Sequence, residues 1–436
     1  MTCSFVPPYL LRQLASGRQS GADAAAETLR RDYQLRLRRE TSTPPQLVEV
    51  AATGRRVIYD AQNGEDLPGV VARTDDQPPT GDLGVDEAHS SSGQVWDLFA
   101  NTYGRESVDG RGSTISVTVH YGTNYDNAFW DGERLVFGDG DGEIFDRFTK
   151  PFDVMAHEFT HGVVQYTAGL VYSGQSGALN ESVADVFAAL TKQQVQGQTA
   201  DQADWLVGVG LFLADVNAIA LRSMLEPGTA YDDPRIGRDP QVGSMSDYVE
   251  TTDDNGGVHI NSGIPNRAFA LAAKALGGNS WERTGRIWYD ALTAGEVTAD
   301  SDFAAFAAAT VSSATRLFPD DAEPSRLVAD AWAEVGLAPG PPPVAVQQVS
   351  VRRSGGFAGT VRSGSLDLGA DPRGREVRSL LDRVDLRSVA ERATTPDRFV
   401  YTIAYGEVTV TVGEPLSPEL ARLVQIVLDR PNRPRN

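Results

Sequence analysis

The chain has 436 residues, 41% of them hydrophobic, and a formal net charge of −20. That length suits two to four domains and the apolar content suffices for sizeable cores, while no apolar run approaches a membrane span and an acidic body argues against nucleic-acid binding. Cys3 is the single cysteine, which excludes a disulfide framework.

Residues 1–45 read as a leader. The first 15 residues lack a charged stretch followed by an apolar one, so no ordinary secretory signal is present. Synthesis in the cytoplasm is expected, with any export by a non-classical route. Val6-Pro7-Pro8-Tyr9 is expected to be extended, 10–15 and 22–39 helical, and 41–45 a flexible junction. Residues 46–155 form a β-rich lobe, with strands expected at 46–51, 55–59, 114–121 and 134–137 and a helix at 88–103. Residues 156–337 form a second lobe whose pattern is mostly helical. Gly/Pro-rich composition around 336–343 sets a linker at 338–345. Residues 346–436 form a small α+β unit, with strands at 348–353, 359–362, 398–405 and 407–413 and helices near 375–391 and 417–428. This tail carries 14 Arg and Lys against 11 Asp and Glu, a charge of +3, which leaves −23 for the remainder. The charge step marks the tail as a separate module, and the whole chain reads as α+β.

Chemistry concentrates in His157-Glu158-Phe159-Thr160-His161. On a helix, positions i and i+4 share a face, so both imidazoles can meet one metal ion. Glu158 between them can reach a water held on that metal. Catalytic zinc with two His ligands needs a third protein ligand and an open position. Downstream, Asn180-Glu181-Ser182-Val183-Ala184-Asp185 again spaces two carboxylates by i, i+4. One can bind the metal and the other can fix an imidazole tautomer. A solvated acidic face is a poor alternative, because Ala178, Leu179 and Val186 share the stripe.

These blocks resemble the thermolysin family of zinc metallopeptidases. The resemblance runs over roughly residues 55–337 and includes Tyr166-Thr167-Ala168-Gly169-Leu170-Val171-Tyr172, Tyr125-Asp126-Asn127-Ala128-Phe129-Trp130, Gly138-Asp139-Gly140-Asp141-Gly142 and Asp254-Asn255-Gly256-Gly257-Val258-His259. It implies a two-lobed protease with a zinc cleft between a β-rich and a helical lobe. It also implies one catalytic Zn2+ on His157, His161 and Glu181, with Asp185 and Asn180 behind the ligands. Glu158 would be the general base, Tyr172 and His259 the oxyanion donors, and Asp254 the group orienting His259. Asn127, the Ala128 backbone and Arg222 would hold an extended substrate. Phe145, Phe148, Val154 and Leu221 would line an apolar pocket for a bulky residue just after the cut bond. His89 and His120 read as structural. The family's paired calcium ions are not expected, because Lys192, Leu206 and Val209 stand at ligand positions beside Asp153 and Asp204.

The leader, with Phe5-Val6-Pro7-Pro8-Tyr9-Leu10-Leu11, resembles the short propeptide of protealysin-like proteases. The tail, with Val349-Ser350-Val351-Arg352-Arg353-Ser354-Gly355-Gly356-Phe357, resembles emfourin, a small protease inhibitor. The expected function is a neutral zinc endopeptidase cutting protein or peptide substrates before bulky hydrophobic residues, made as a precursor. Its expected partners include its own leader and tail, in cis or in trans. The alternatives are a catalytically silent binding scaffold and a zinc exopeptidase.

Overall fold

The computed structural model describes residues 3–17, 21–41 and 55–338, and 348–428 apart from 356–359, 369–370, 372, 382, 385, 387–398 and 406–407. The strand expected at 46–51, the junction at 42–45 and most of the linker lie outside the described residues. Chain contacts divide the protein into two compact units, Met1–Pro343 and Val344–Asn436.

The leader contains strand β1 (Cys3–Ser4) and helices α1 (Pro8–Ala15) and α2 (Ala22–Thr41). Pro8 and Tyr9 open α1 instead of extending the chain, since proline at the first helical position has no N–H to lose. Phe5, Val6, Leu10, Leu11 and Leu14 are all fully buried. Each such burial is worth about 1.5–3 kcal/mol. A surface ion pair such as that between Arg12 and Asp253 is worth about 0–1 kcal/mol. Apolar packing, not charge, therefore holds the leader in the core.

The first lobe contains β2 (Arg56–Asp60), β3 (Val70–Thr74), α3 (Leu83–Asp97), β4 (Ile115–Val119), β5 (Ala128–Trp130) and β6 (Leu135–Phe137). With β1 these form a six-stranded sheet of order β1-β5-β6-β4-β2-β3. Strands β2, β4 and β6 run parallel, whereas β1 on β5, β5 on β6 and β3 on β2 are antiparallel. Helix α3 starts earlier than expected, because the Asp82 side chain accepts the Val85 N–H at 3.0 Å and caps it at Leu83.

The second lobe begins with α4 (Phe152–Gln165) and α5 (Gly174–Gln196). Its mostly helical expectation fails between 197 and 253. That stretch instead carries two ribbons, β7 (Leu206–Val207) with β8 (Arg222–Ser223) and β9 (Asp232–Asp233) with β10 (Gly237–Arg238). Frequent Gly, Pro and Asp interrupt any helix there. Helices resume with α6 (Asp254–Asn261), α7 (Gly263–Leu276), α8 (Thr284–Thr293), α9 (Phe303–Leu317) and α10 (Glu323–Glu334).

The tail unit is an antiparallel sheet of order β12-β11-β13-β14, built from β11 (Gln348–Gly355), β12 (Thr360–Asp367), β13 (Phe399–Tyr405) and β14 (Val408–Gly413). Alternation along β11 buries Val349 and Val351 beside Leu366 and Ile403, with α11 (Gly374–Leu381) and α12 (Pro418–Leu428) completing this core. Helix α11 ends well before the expected 391. Phe357 lies outside the described residues.

Two polar clusters brace the first unit. The Lys192 ammonium donates to both Asp204 oxygens at 2.8 and 2.7 Å and to the Leu206 carbonyl at 3.0 Å. Asp153 accepts the Gly208 N–H at 2.9 Å. The ammonium thus sits among the oxygens that a cation would need. Millimolar calcium should leave the melting temperature unchanged, whereas Lys192→Ala should lower it by several degrees, because the loss of a charged hydrogen bond costs about 1.5–3 kcal/mol. A large calcium-dependent rise in a thermal melt would contradict this.

His120 is clamped by Asp139, 2.9 Å from Nδ1, and Asp82, 3.1 Å from Nε2. The Asp139 hydrogen bond, foremost, raises its pKa to about 9. Its unfolded value is near 6.5. The clamp's stabilisation is therefore complete below about pH 6.5 and is lost as pH rises through about 9. Urea denaturation at both pH values should show a smaller alkaline loss for His120→Gln than for the wild type. Equal losses would refute the clamp.

Candidate active site

Helix α4 is buried around its whole circumference, so both His157 and His161 face protein. His157 Nδ1 is 2.9 Å from Asp185 Oδ1, and His161 Nδ1 is 2.9 Å from Asn180 Oδ1. Both partners come from α5, which packs against α4. On its other side α5 comes close to α6 and Tyr172 at Gly177, where a Cβ would lie 2.5 Å from Val258 and 2.8 Å from the Tyr172 backbone. With their outer nitrogens engaged, the two imidazoles turn Nε2 toward each other at 3.0 Å. Glu181 oxygens lie 3.4 Å from His157 Nε2 and 3.5 Å from His161 Nε2.

The two Glu181 separations suit zinc, and the imidazole nitrogens, at 3.0 Å, stand slightly closer than a bound ion would hold them. Four-coordinate zinc with bonds of about 2.0–2.2 Å requires ligand-to-ligand distances of roughly 3.3–3.5 Å. Among the described residues, His157, His161 and Glu181 are the group of metal-ligating side chains close enough to share an ion. Burial first, against the nearby carboxylate of Glu181, holds the His161 pKa down to about 3, leaving a neutral ring with a lone pair for the metal. For His157 burial opposes the charge, but the hydrogen bonds to Asp185 and Glu181 outweigh it and raise the pKa to about 9. Metal must therefore displace a proton there, as is usual at such sites.

Glu158 is fully buried, and no side chain donates a hydrogen bond to its carboxylate. Burial, ahead of the opposing pull of His157, raises its pKa to about 8. A dipositive ion beside it would lower that value again. Facing it, Tyr172 donates a very short hydrogen bond to Glu181 and lies 3.3 Å from His259 Nε2. His259 Nδ1 is 2.7 Å from Asp254 Oδ1, and the His259 N–H donates to Asp254 Oδ2 at 2.9 Å. This return contact depends on a left-handed turn. Asp254, Asn255, Gly256 and Gly257 all have positive φ, between 51° and 88°. Two glycines make that run tolerable.

On the other wall, Arg222 donates to Asp185 from Nε at 2.9 Å and from Nη2 at 2.9 Å. Asn266, which carried no expected role, also donates to Asp185 at 2.8 Å. Ala128 opens strand β5, which pairs with the leader strand β1, and Asn127 immediately precedes it. Phe145, Phe148, Val154 and Leu221 are essentially fully buried in the surrounding core. His89 and His120 stand away from this cleft, with His89 3.9 Å from Asp75.

The leader runs through the cleft. Ser4 pairs with Phe129 and Cys3 with Trp130, antiparallel to β5. The Phe5 N–H donates to the Ala128 carbonyl at 3.0 Å, and Arg222 Nη1 donates to the Phe5 carbonyl at 3.0 Å. Val6 is held at both ends by Asn127, whose Oδ1 accepts its N–H at 2.8 Å and whose Nδ2 donates to its carbonyl at 3.3 Å. His259 Nε2 lies 3.0 Å from the Ser4 carbonyl oxygen. The Phe5 ring stands edge-on to His157 at 5.0 Å and under the Arg222 guanidinium at 4.6 Å. None of these leader contacts was foreseen. The proline pair after Val6 was the only hint that the strand stops there.

Family models place this architecture. The thermolysin metallopeptidase catalytic domain matches residues 40–165 and the alpha-helical domain matches 168–337. Emfourin matches 351–428. An extracellular metalloprotease of Pectobacterium carotovorum is 47% identical over 336 residues, which are 77% of this chain and 96% of that one. The chain belongs to the thermolysin metallopeptidase family. Thermolysin of Alicyclobacillus acidocaldarius is 37% identical over 288 residues, 64% of this chain and 50% of that one. The solved precursor of protealysin, a metalloproteinase from Serratia proteamaculans, matches with TM-score 0.70 at 47% identity, covering 77% of this chain and all of that one. As a member of this family the protein is a zinc metalloendopeptidase. His157, His161 and Glu181 would hold the zinc, which when bound would supply a Lewis acid for a peptide carbonyl and a water of pKa near ~7. The emfourin match is consistent with an inhibitor domain. No described helix is long and apolar enough to cross a membrane.

Glu158→Gln should keep zinc but lose peptidase turnover by a factor of about 10²–10⁴, because the proton acceptor is gone while the ligands remain. His157→Ala and Glu181→Ala should lose the metal itself. Metal analysis beside peptide turnover separates the two outcomes, and substantial turnover by Glu158→Gln would contradict its role.

Proposed function

We propose that the protein is the precursor of a neutral endopeptidase that cuts before bulky hydrophobic residues and is restrained by its own leader and tail. The carrying observation is the leader's set of backbone hydrogen bonds to Ala128, Asn127, Arg222 and His259. Those groups would grip any extended peptide in the same way. Glu158 takes a proton from the attacking water and delivers it to the leaving amine. Tyr172 and His259 stabilise the developing oxyanion, with Asp254 fixing the His259 ring. Phe5, packed among apolar groups, models the side chain just after the cut bond. Chain on both sides of that position, from Cys3 through Val6, favours an endopeptidase over an exopeptidase.

The leader, residues 1–45, is then a propeptide whose removal opens the cleft. The mature enzyme acts outside the cell, reached by a non-classical route; the Pectobacterium relative is named as extracellular. The emfourin-like tail, residues 346–436, adds a second restraint. A tether of about ten residues spans at most roughly 35 Å and raises effective concentration to about millimolar. The tail's positive charge suits the acidic protease body.

Casein turnover decides both restraints. With the leader removed, a chain ending at Gly340 should be faster than the full-length protein. Equal rates at every enzyme concentration would end the inhibitory reading of the tail. Relief on dilution would mean inhibition between molecules, and concentration-independent inhibition would mean docking within one chain.

A further inference from the structure

We propose that the Ser4–Phe5 peptide bond is itself a substrate of the cleft it fills: the protein cuts its own leader there once, and the new N-terminus at Phe5 stays bound. The proposal rests on the peptidase reading above and adds a self-processing site to it.

The register carries the argument. Three consecutive residues meet polar groups of four cleft residues through their backbones. The Ser4 carbonyl faces His259, 3.0 Å away. The Phe5 N–H donates to Ala128 and its carbonyl accepts from Arg222. Val6 is fixed at both backbone groups by Asn127. A shift of one residue would turn each side chain to the opposite face and remove the buried Phe5 ring from its place against His157. The bond between the oxyanion donor and the Arg222 clamp is therefore Ser4–Phe5. Glu158, fully buried with no side chain donating to its carboxylate, lies on the same helix as His157.

The step balances with water alone. A water oxygen bonds to the Ser4 carbonyl carbon and the Ser4–Phe5 C–N bond breaks. One water proton passes through Glu158 to the Phe5 nitrogen. The products are a Ser4 carboxylate and a Phe5 amine.

Retention follows from how unevenly the two sides are anchored. Upstream, the described contacts are a two-residue strand. Downstream, Phe5 and Val6 are fully buried, Pro7 and Pro8 turn the chain into α1, and Leu10, Leu11 and Leu14 are fully buried as well. The upstream fragment leaves and the downstream side remains in the cleft. The cut is therefore a single turnover that does not release activity.

The test uses the full-length protein in zinc-containing buffer, followed by intact-mass measurement and N-terminal sequencing. The expected result is conversion to a chain beginning at Phe5, first-order and independent of protein concentration, with no gain in casein turnover. Glu158→Gln, checked for folding by its melting temperature, should convert at least about 100-fold more slowly and should not be cut by a trace of wild type. Phe5→Leu should keep the cut and Phe5→Asp should lose it. Hydrogen exchange on Glu158→Gln reads the register without catalysis: the Phe5 and Val6 amides should be protected. Fast exchange at both amides would overturn the register. Cutting of Glu158→Gln by trace wild type at the wild-type rate would overturn self-processing. If the enzyme hydrolyses casein once its leader is removed, yet its precursor keeps the Ser4–Phe5 bond for days, this proposal fails while the peptidase reading stands. If no form hydrolyses casein, the peptidase reading itself fails.

Discussion

Everything in the cleft depends on one buried carboxylate. Asp185 is fully buried and accepts from His157, twice from Arg222, and from Asn266. Burial works against its charge, but Arg222 and then His157 outweigh that and hold the carboxyl below its usual value. The same charge therefore sets the tautomer of a zinc ligand and the position of the guanidinium that grips the peptide in the cleft. Helix α7 enters through Asn266. Breaking a buried ion pair costs about 3–5 kcal/mol, because the remaining partner is left uncompensated. Metal site and substrate clamp are thus one electrostatic unit.

The second constraint is an exposed edge. Strand β1 from the leader is the border of the catalytic sheet; without it β5 would present an open edge, which invites another strand. In the precursor the leader supplies it, with Cys3 and Ser4 paired to Trp130 and Phe129. On the proposed function, substrate binding and self-restraint use the same backbone groups. The difference lies beyond the cleft, where α1 and α2 add apolar burial that a free peptide lacks.

The metal trio was legible because its chemistry is periodic. His157 with His161 and Glu181 with Asp185 each repeat at helical spacing, and an i, i+4 pair has one structural meaning. Asp254 and His259 were legible only through the family blocks, since a left-handed turn of four residues joins them and no periodicity marks it. Strands β1 and β5, of two and three residues, are too short to show alternation. The register of Ser4 and Phe5 was hidden for the same reason. The ribbons between 197 and 253 were not anticipated within a lobe read as mostly helical, because strands of two residues show no alternation. Asn266 gave no signal at all, because an asparagine on a helix is ordinarily solvated and its partner lies 81 positions away in sequence. Lys192 was readable as a cation substitute only from its place among aligned carboxylates.

The coupling through Asp185 is best tested by the zinc dissociation constant of Asp185→Asn, measured by chelator competition on the full-length protein. The side chain keeps its shape and loses its charge. The account predicts zinc binding weaker by about 10–100-fold, together with faster hydrogen exchange at the Val6 amide as Arg222 is released. Zinc affinity and exchange both unchanged from wild type would contradict it.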